Sequence, residues 1–564
     1  MCSSDSGTVP PGWRHRSLVS TGLDAIGTGG GLWHINCLTL SRMGEENTGA
    51  GGVASATIPA WLRAYGVETA SWQADGGGME HSVYGTTLWV ARTTVPTRYG
   101  EFSAHIFQDL IHKGYVIALL YGDATAGGEL CTRMHSSCVT SETLGGCDCD
   151  CAEQLDQAMR RIAESGRGVL FYLLQEGRGV GYCAKARDRM LVQASGETLS
   201  TFEAYGLLGL RKDYRTYLNI ADITRILGID ADWVLLTNNP DKVEAMERTG
   251  LRVARTEELE FEPGPFNQFY LRSKRDSGHA LKRTEAAALP EMGLPEKVTP
   301  FKPHRLAGAE RFIHMASYLL PLRAIENMVV VSHAGMRELL GNRALEELTL
   351  GRDAPIAGFE SLRNNRLAVR LSPEGMRALE RADPSDPLLV LRHTPYWFRV
   401  HVYFDIVSGD DFVVLTHGRF ETYDTPIVRV QSESILNRFP VSVDANRVKY
   451  RHAVQKIVRY GAGAIMLVYQ DGRGAGFGAF ALDRMLTEEG RARTTEEAYR
   501  RLGVPFDQRD YTRVFEILKS HLPNRNIQMI MNSPNSMVQK SEYAHALHES
   551  GLNVVNWIFL ESEV

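Results

Sequence analysis

The sequence predicts a mixed α/β (α+β) protein built from two tandem copies of one domain, and three observations predict it. Motifs in the first half recur in the same order in the second. Apolar runs that end in Gly, Asn or Pro turns alternate with stretches of helical spacing. The chain, at 564 residues, is also longer than one hydrophobic core can organise.

The repeat is read most directly at ARDRML (186 to 191), which returns as ALDRML (481 to 486). Gln175-Glu176-Gly177-Arg178-Gly179 pairs with Gln470-Asp471-Gly472-Arg473-Gly474, and Glu203-Ala204-Tyr205 with Glu497-Ala498-Tyr499. Arg133 to Ser136 pairs with Arg429 to Ser432, Asp213-Tyr214-Arg215 with Asp507-Gln508-Arg509, and Asn238-Asn239-Pro240 with Asn532-Ser533-Pro534. The offset drifts only from 296 to 294, which is duplication with two single-residue deletions.

Taken in order, residues 1–91 form a Gly- and Ser-rich extension to which no function is assigned. The first copy runs over 92–280. Gly168 to Leu174 and Trp233 to Leu236 read as its strands, while Leu155, Met159 and Ile162 recur at helical spacing after Cys151 and stop at Gly166. Residues 281–391 are a linker, rich in Pro and charge at its start, and then a partly helical connector, with a helix expected around 309 to 324. The second copy runs over 392–564.

Composition bounds the partners. A net charge of -5, with 43% hydrophobic and 23% charged residues, leaves no global reason to expect nucleic acid or a membrane surface, so an anionic ligand needs a local cluster. No apolar run reaches the roughly 20 residues that span a bilayer. The N-terminus also lacks a secretory pattern, so the expected location is cytoplasmic.

All eight cysteines lie in the first 183 residues, five of them between 131 and 151. Such packing suggests thiolate metal ligands in a reducing compartment. Cys138, Cys149 and Cys151 form C-x10-C-x-C. Three thiolates leave a tetrahedral zinc one position for water, which suits catalysis; Cys131 and Cys147 lie close enough in sequence for a closed structural site to stay open as an alternative. Arg133, Arg178, Arg215 and Lys242 fall near turns at strand ends, where α/β sheets bind ligands, and four fixed cations suit a polyphosphate. Asp213, two residues before Arg215, could serve as a base or as a salt-bridge partner.

Together these residues resemble the GTP cyclohydrolase II family over about 185 residues, from Val95-Pro96-Thr97 to Ser277-Gly278-His279. The likeness rests on Gly122-Asp123, Arg133 to Cys138, Cys149-Asp150-Cys151 with Gln154-Leu155, Gln175 to Gly179, Asp213-Tyr214-Arg215, and Leu236 to Pro240 with Lys242. It implies a hydrolase acting on cyclic amidine C–N bonds that opens the imidazole ring of GTP or a related purine nucleotide, toward riboflavin or a specialised pathway, with release of pyrophosphate and, as in the family, formate. By the resemblance, Cys138, Cys149 and Cys151 hold one zinc per chain, and magnesium accompanies the phosphates. Arg215 is the nucleophile toward the α-phosphate and Asp213 the base, while Arg133, His135, Ser136, Gln154, Glu176, Gly177, Arg178, Arg189, Thr201, Thr237 and Lys242 bind the nucleotide. The family forms homodimers, so the two copies imply an internal pseudo-dimer, with further homo-oligomerisation left open.

Three positions depart from the family. Ser137 replaces a glutamate, Ser141-Glu142 stands where the family has Gly-Asp, and Arg189 replaces a tyrosine implicated in the ring chemistry. Loss of that tyrosine is associated with stopping at the formylated intermediate, unless Tyr182 stands in for it. In the second copy Ser434, Ala445 and Arg447 occupy the zinc positions, Met531 replaces Thr237 and Ser536 replaces Lys242, yet Arg429, Glu433, Asp471, Arg473, Thr495, Asp507 and Arg509 persist. The competing reading is a nucleotide-binding regulatory protein without turnover. Retention of the three cysteines with Asp213 and Arg215 counts against it.

Overall fold

The structure, a computed structural model, describes residues 83–286, 304–306, 309–349, 354–420, 423–443, 445–469, 471–522, 524–533 and 537–560. Most of the extension, Gln470, and Pro534 and Ser536 lie outside these residues. All described residues belong to the compact unit Glu68–Val564. Among them, no helix is long and apolar enough to cross a membrane.

The chain folds as two mixed α/β domains with the same strand order. In the first, β1 (Val83–Tyr84), β2 (Thr87–Thr97), β3 (Gly100–Asp109), β4 (Tyr115–Tyr121), β5 (Glu129–Ser136), β6 (Gly168–Leu173), β7 (Asp232–Leu236) and β8 (Val253–Glu257) form a sheet in the order β1-β2-β3-β4-β6-β5-β7-β8. In the second, β9 (His304–Leu306) and β10 (Ala309–Leu322) join β14 (Tyr396–Asp405), β15 (Asp411–His417), β16 (Ile427–Ser432), β17 (Gly463–Val468), β18 (Asn526–Met531) and β19 (Asn553–Phe559) in the order β9-β10-β14-β15-β17-β16-β18-β19. The N-terminal half of each sheet is antiparallel, and its strands follow one another by short turns except between β10 and β14. The other half is parallel, so helices such as Cys151–Glu164 and Ala445–Tyr460 make the crossovers.

Two sequence expectations are corrected here. Residues 309–322 are a strand, not a helix: Phe312, Ala316, Tyr318, Leu320 and Leu322 recur with period two and are all buried, and sheet pairing with β14 overrides the helix-favouring Ala, Glu, Met and Leu content. The second sheet therefore reaches back beyond residue 392, and what separates its second and third strands is an insertion. Where β2 turns directly into β3, the second domain carries a small sheet of β11 (Met328–Ser332), β12 (Ile356–Leu362) and β13 (Arg366–Leu371) with helices at His333–Leu340 and Pro373–Glu380.

The domains share their interior. One core joins Val139, Tyr182, Ala186 and Met190 of the first to Tyr318, Leu320, Phe398 and Tyr450 of the second, and another joins Phe102 and Ile106 to Ile435, Phe439 and Phe477. Backbone bonds cross in matched pairs. Arg98 N–H donates to Pro440 O (3.1 Å) and Ser442 N–H to Pro96 O (3.0 Å); Cys147 N–H donates to Pro321 O and Arg323 N–H to Gly145 O, both at 2.9 Å. The second domain thus pins the loop that carries the cysteines.

Candidate active site

The site is built at the C-terminal ends of β5, β6 and β7, where an α/β sheet presents its loops. Cys138 follows β5, while Cys149 and Cys151 lead into the helix Cys151–Glu164. Their sulfurs all lie within 4.8 Å of one another, Cys138 to Cys149 at 3.7 Å, a grouping that could hold a metal ion. Cys131 and Cys147 are not part of the group. The soft donor set fits zinc, and Lys185 Nζ stands 3.1 Å from Cys138 Sγ. The neighbouring Cys149 and Cys151 thiols, helped by the Lys185 ammonium, hold the Cys138 pKa well below the usual thiol value, which favours a thiolate there.

The opposite pole is cationic. Arg133 donates to Leu236 O (2.7 Å) and Gln154 Oε1 (2.6 Å), and burial lowers its pKa to about 10. Lys242 Nζ donates to Met134 O at 2.7 Å; burial, with Arg133, Arg215 and Lys274 nearby, pushes its pKa well down. The same surroundings act on His279, which burial and the cations Lys274, Arg215 and Lys242 bring to about 4. Asp150 answers Lys274 and Asp213 answers Arg215. The buried Arg133 and Lys242 donate to backbone carbonyls, and Arg133 also to Gln154, which leaves net positive charge that suits an anion.

Arg215 links the poles. Its Nε lies 3.0 Å from both carboxylate oxygens of Asp213, and the adjoining turn is set by the Gly177–Gly179 loop. Arg178 there has φ +55°, rare for a residue with a side chain, and Gly179 packs so closely that a Cβ would stand 3.0 to 3.1 Å from the Tyr214–Arg215 backbone. Arg178 O accepts from Tyr214 N–H (3.0 Å), and the guanidinium donates to Thr201 Oγ1 (2.6 Å) while lying 3.8 Å over the Phe202 ring.

Of the expected site residues, Ser136, Cys138, Cys149, Cys151, Glu176, Gly177, Arg178, Arg189 and Arg215 line one cleft. Arg133, Gln154, Thr201, Asp213, Thr237 and Lys242 do not line it; Thr237 Oγ1 accepts from Asn239 N–H at 3.0 Å. His135 is directed elsewhere: its Nε2 pairs with Glu142 Oε1 at 2.7 Å and its ring stacks on Tyr172. Arg189 is buried, 3.4 Å from Asp148 and over the Tyr270 ring. Tyr182 does not line the cleft; its hydroxyl bonds to that of Tyr318 at 2.8 Å.

Sequence reading missed Lys185, Asp188 and Tyr270, which also line the cleft. Lys185 shares a helix face with Asp188 (i, i+3) and with Arg189 (i, i+4) on Tyr182–Ala194, a spacing that could have exposed them. Tyr270 comes from the distant helix Gln268–Asp276 and carried no local signal.

One cleft at the strand ends of an α/β sheet thus holds a thiol trio that could bind a metal together with Arg178, Lys185, Arg189 and Arg215. A family model described as GTP cyclohydrolase II matches residues 89–258 and again 391–558. The GTP cyclohydrolase-2 of Shewanella amazonensis is 39% identical over 194 residues, 34% of this chain and 93% of that protein, and that of Azotobacter vinelandii is 40% identical over 197 residues, 35% and 93%. The riboflavin biosynthesis protein RibBA of Endomicrobium trichonymphae is 37% identical over 195 residues, 34% of this chain and 47% of that protein. The chain belongs to the GTP cyclohydrolase II family and is a GTP cyclohydrolase II-like hydrolase.

Proposed function

We propose that the first domain opens the imidazole ring of GTP, or a closely related purine nucleotide, and releases pyrophosphate, with zinc on Cys138, Cys149 and Cys151 and magnesium on the phosphates. The observation that carries this reading is the placement of Arg215 in the same cleft as the three cysteines, backed by Arg133, Lys242 and Lys274. Among the buried polar atoms around the cleft, Arg178 Nη1 and Asp188 Oδ1 have no protein hydrogen-bond partner and are available to a ligand.

Zinc, when bound, supplies a Lewis acid and an activated water at neutral pH. The remaining work falls to the chain. Arg215, fixed by Asp213, meets the α-phosphate; Arg133, Arg178 and Lys242 neutralise the polyphosphate; Glu176 accepts from Val139 N–H (2.9 Å) and from Lys185 (2.6 Å), holding the loop after Cys138. Gln154, Thr201 and Thr237 orient these groups or the nucleotide. The second domain, without zinc ligands, serves as the packing partner of an internal pseudo-dimer.

Arg189 sets the product. A guanidinium donates hydrogen bonds but cannot relay a proton as a phenol does, so the formyl group stays on a formamidopyrimidine nucleotide. A second reading, in which formate leaves and a diaminopyrimidine results, is favoured by Tyr270, a phenol that does line the cleft. Incubation with GTP, magnesium and zinc, followed by formate, pyrophosphate and product-mass assays, separates the two. Little formate beside abundant pyrophosphate, with the ratio rising in Arg189→Tyr, supports formyl retention. A ratio near one that falls in Tyr270→Phe supports the second reading, and binding without turnover would sink both in favour of a regulatory protein.

A further inference from the structure

The cysteine loop is tied to the second domain by side chains as well as backbone. Glu142 sits at its centre: Oε2 accepts from the Cys138 N–H (3.1 Å) and from the Tyr172 hydroxyl, while Oε1 pairs with His135. Tyr172 in turn accepts from Arg438 Nη1 of the second domain at 3.3 Å. Arg438 is held by a fork to Glu433, Nη2 to Oε2 at 2.8 Å, and Glu433 accepts from Thr143 Oγ1 of the first domain, also at 2.8 Å. Every member except Thr143 is at least nine-tenths buried: Glu142 is 5% exposed, Arg438 7%, Glu433 5% and Tyr172 0%.

Glu142 and Arg438, which meet at this contact, are equivalent by the repeat and opposite in charge. Glu142 and Arg438 occupy one position of the two copies, and Ser137 and Glu433 another, both at the offset of 296. A first domain paired with another first domain would bring a second buried carboxylate where Arg438 now stands. Burying a carboxylate is costly unless a cation answers it, so the arginine is specific to the mixed pair.

We infer that Arg438 is a positioning residue for the metal centre, supplied by the domain that has lost its own. Through Tyr172 it fixes Glu142, and Glu142 fixes the backbone of Cys138, the first metal ligand. This rests on the zinc reading above. Residues that orient metal ligands through hydrogen bonds change metal affinity by about 10- to 100-fold when removed.

The test is zinc release from the purified full chain into excess chelator, with bound zinc counted first. Arg438→Met should lose zinc about tenfold faster than wild type, while Arg438→Lys should restore most of the retention. Arg484→Met serves as control: it cuts another contact between the domains, Arg484 Nε to Thr93 Oγ1 at 2.8 Å, and should release zinc at the wild-type rate. If Arg438→Met does not fold, Tyr172→Phe removes only the bridging hydroxyl and carries the same expectation. Wild-type release from Arg438→Met or Tyr172→Phe, or equal acceleration by Arg484→Met, overturns the inference alone. A wild type that binds no zinc takes down the metal centre, and the inference with it.

Discussion

In the first domain Arg215 Nε meets both oxygens of Asp213 at 3.0 Å; in the second, Arg509 Nε meets those of Asp507 at 2.9 and 3.1 Å. The neighbouring loops agree as well, with Arg178 at φ +55° and Arg473 at φ +54°, each glycine-flanked and each stacked on a phenyl ring. At the other end of the same site the domains part. Where the first has Cys151, the second has Arg447, whose guanidinium donates to Asn437 O at 2.5 Å and so ties helix Ala445–Tyr460 to the loop after Ser434. An arginine has taken over the cross-linking that a metal would perform, without the metal's chemistry. The glycine-flanked turn and its Asp–Arg fork persist where the thiols do not, because the two ends are fixed by separate contacts.

The largest effect should come from the end that differs. A Cys149→Ser, Cys151→Ser double variant should lose bound zinc and reduce ring opening to the uncatalysed background, while Ser434→Ala and Arg447→Lys leave both unchanged; elemental analysis and nucleotide product mass check this. Two zinc ions per chain would erase the contrast between the domains.

The next effect tests the end that agrees. Arg215→Ala should lower pyrophosphate release by about 100- to 1,000-fold in kcat, as removal of a preorganised donor does. Arg509→Ala should change it by less than about threefold. Equal losses would mean that the second domain's fork takes part in turnover.

A third comparison concerns the lysine beside the cysteines. Lys185 pairs with Glu176; the equivalent pair in the second domain is Phe480 and Asp471. Lys185→Met should weaken zinc binding by about tenfold, read by competition with a chromogenic chelator, and Phe480→Met should not.

The smallest effect is one of pH. Without a lysine, burial and then the Glu433 charge raise the Asp471 pKa to about 7. A carboxyl whose folded pKa is raised contributes stability that is fully present below its unfolded value and lost as pH rises through the folded one, here the window from about 4 to 7. Asp471→Asn should therefore raise the thermal midpoint by about 3 °C at pH 8 and progressively less toward pH 4. A gain that is the same at both ends would show that ionisation is not its source.

Much of this contrast was legible before folding. The repeat, the cysteine trio and the Asp-x-Arg pairs stand in fixed spacing, and local spacing survives in any fold. The rest depended on contacts between distant segments. Glu142 was visible as a departure, but its answering Arg438 lies in the other copy and had no reason to be paired with it. His135 sits in a binding motif, yet a buried carboxylate four residues past Cys138 draws it inward. Residues 309–322 carry helix-forming side chains, and only pairing with β14, some 80 residues on, makes them a strand.

The shared cores give the covalent connection a meaning of its own. Two folded domains that already bury one another's side chains need no peptide link to hold them once they have met; the link removes the search and forbids exchange of partners. Separate chains of the two kinds would mix by mass action into like and unlike pairs in proportions set by expression. A fused chain has one stoichiometry, one thiol-bearing domain for each domain without the thiols, at every concentration.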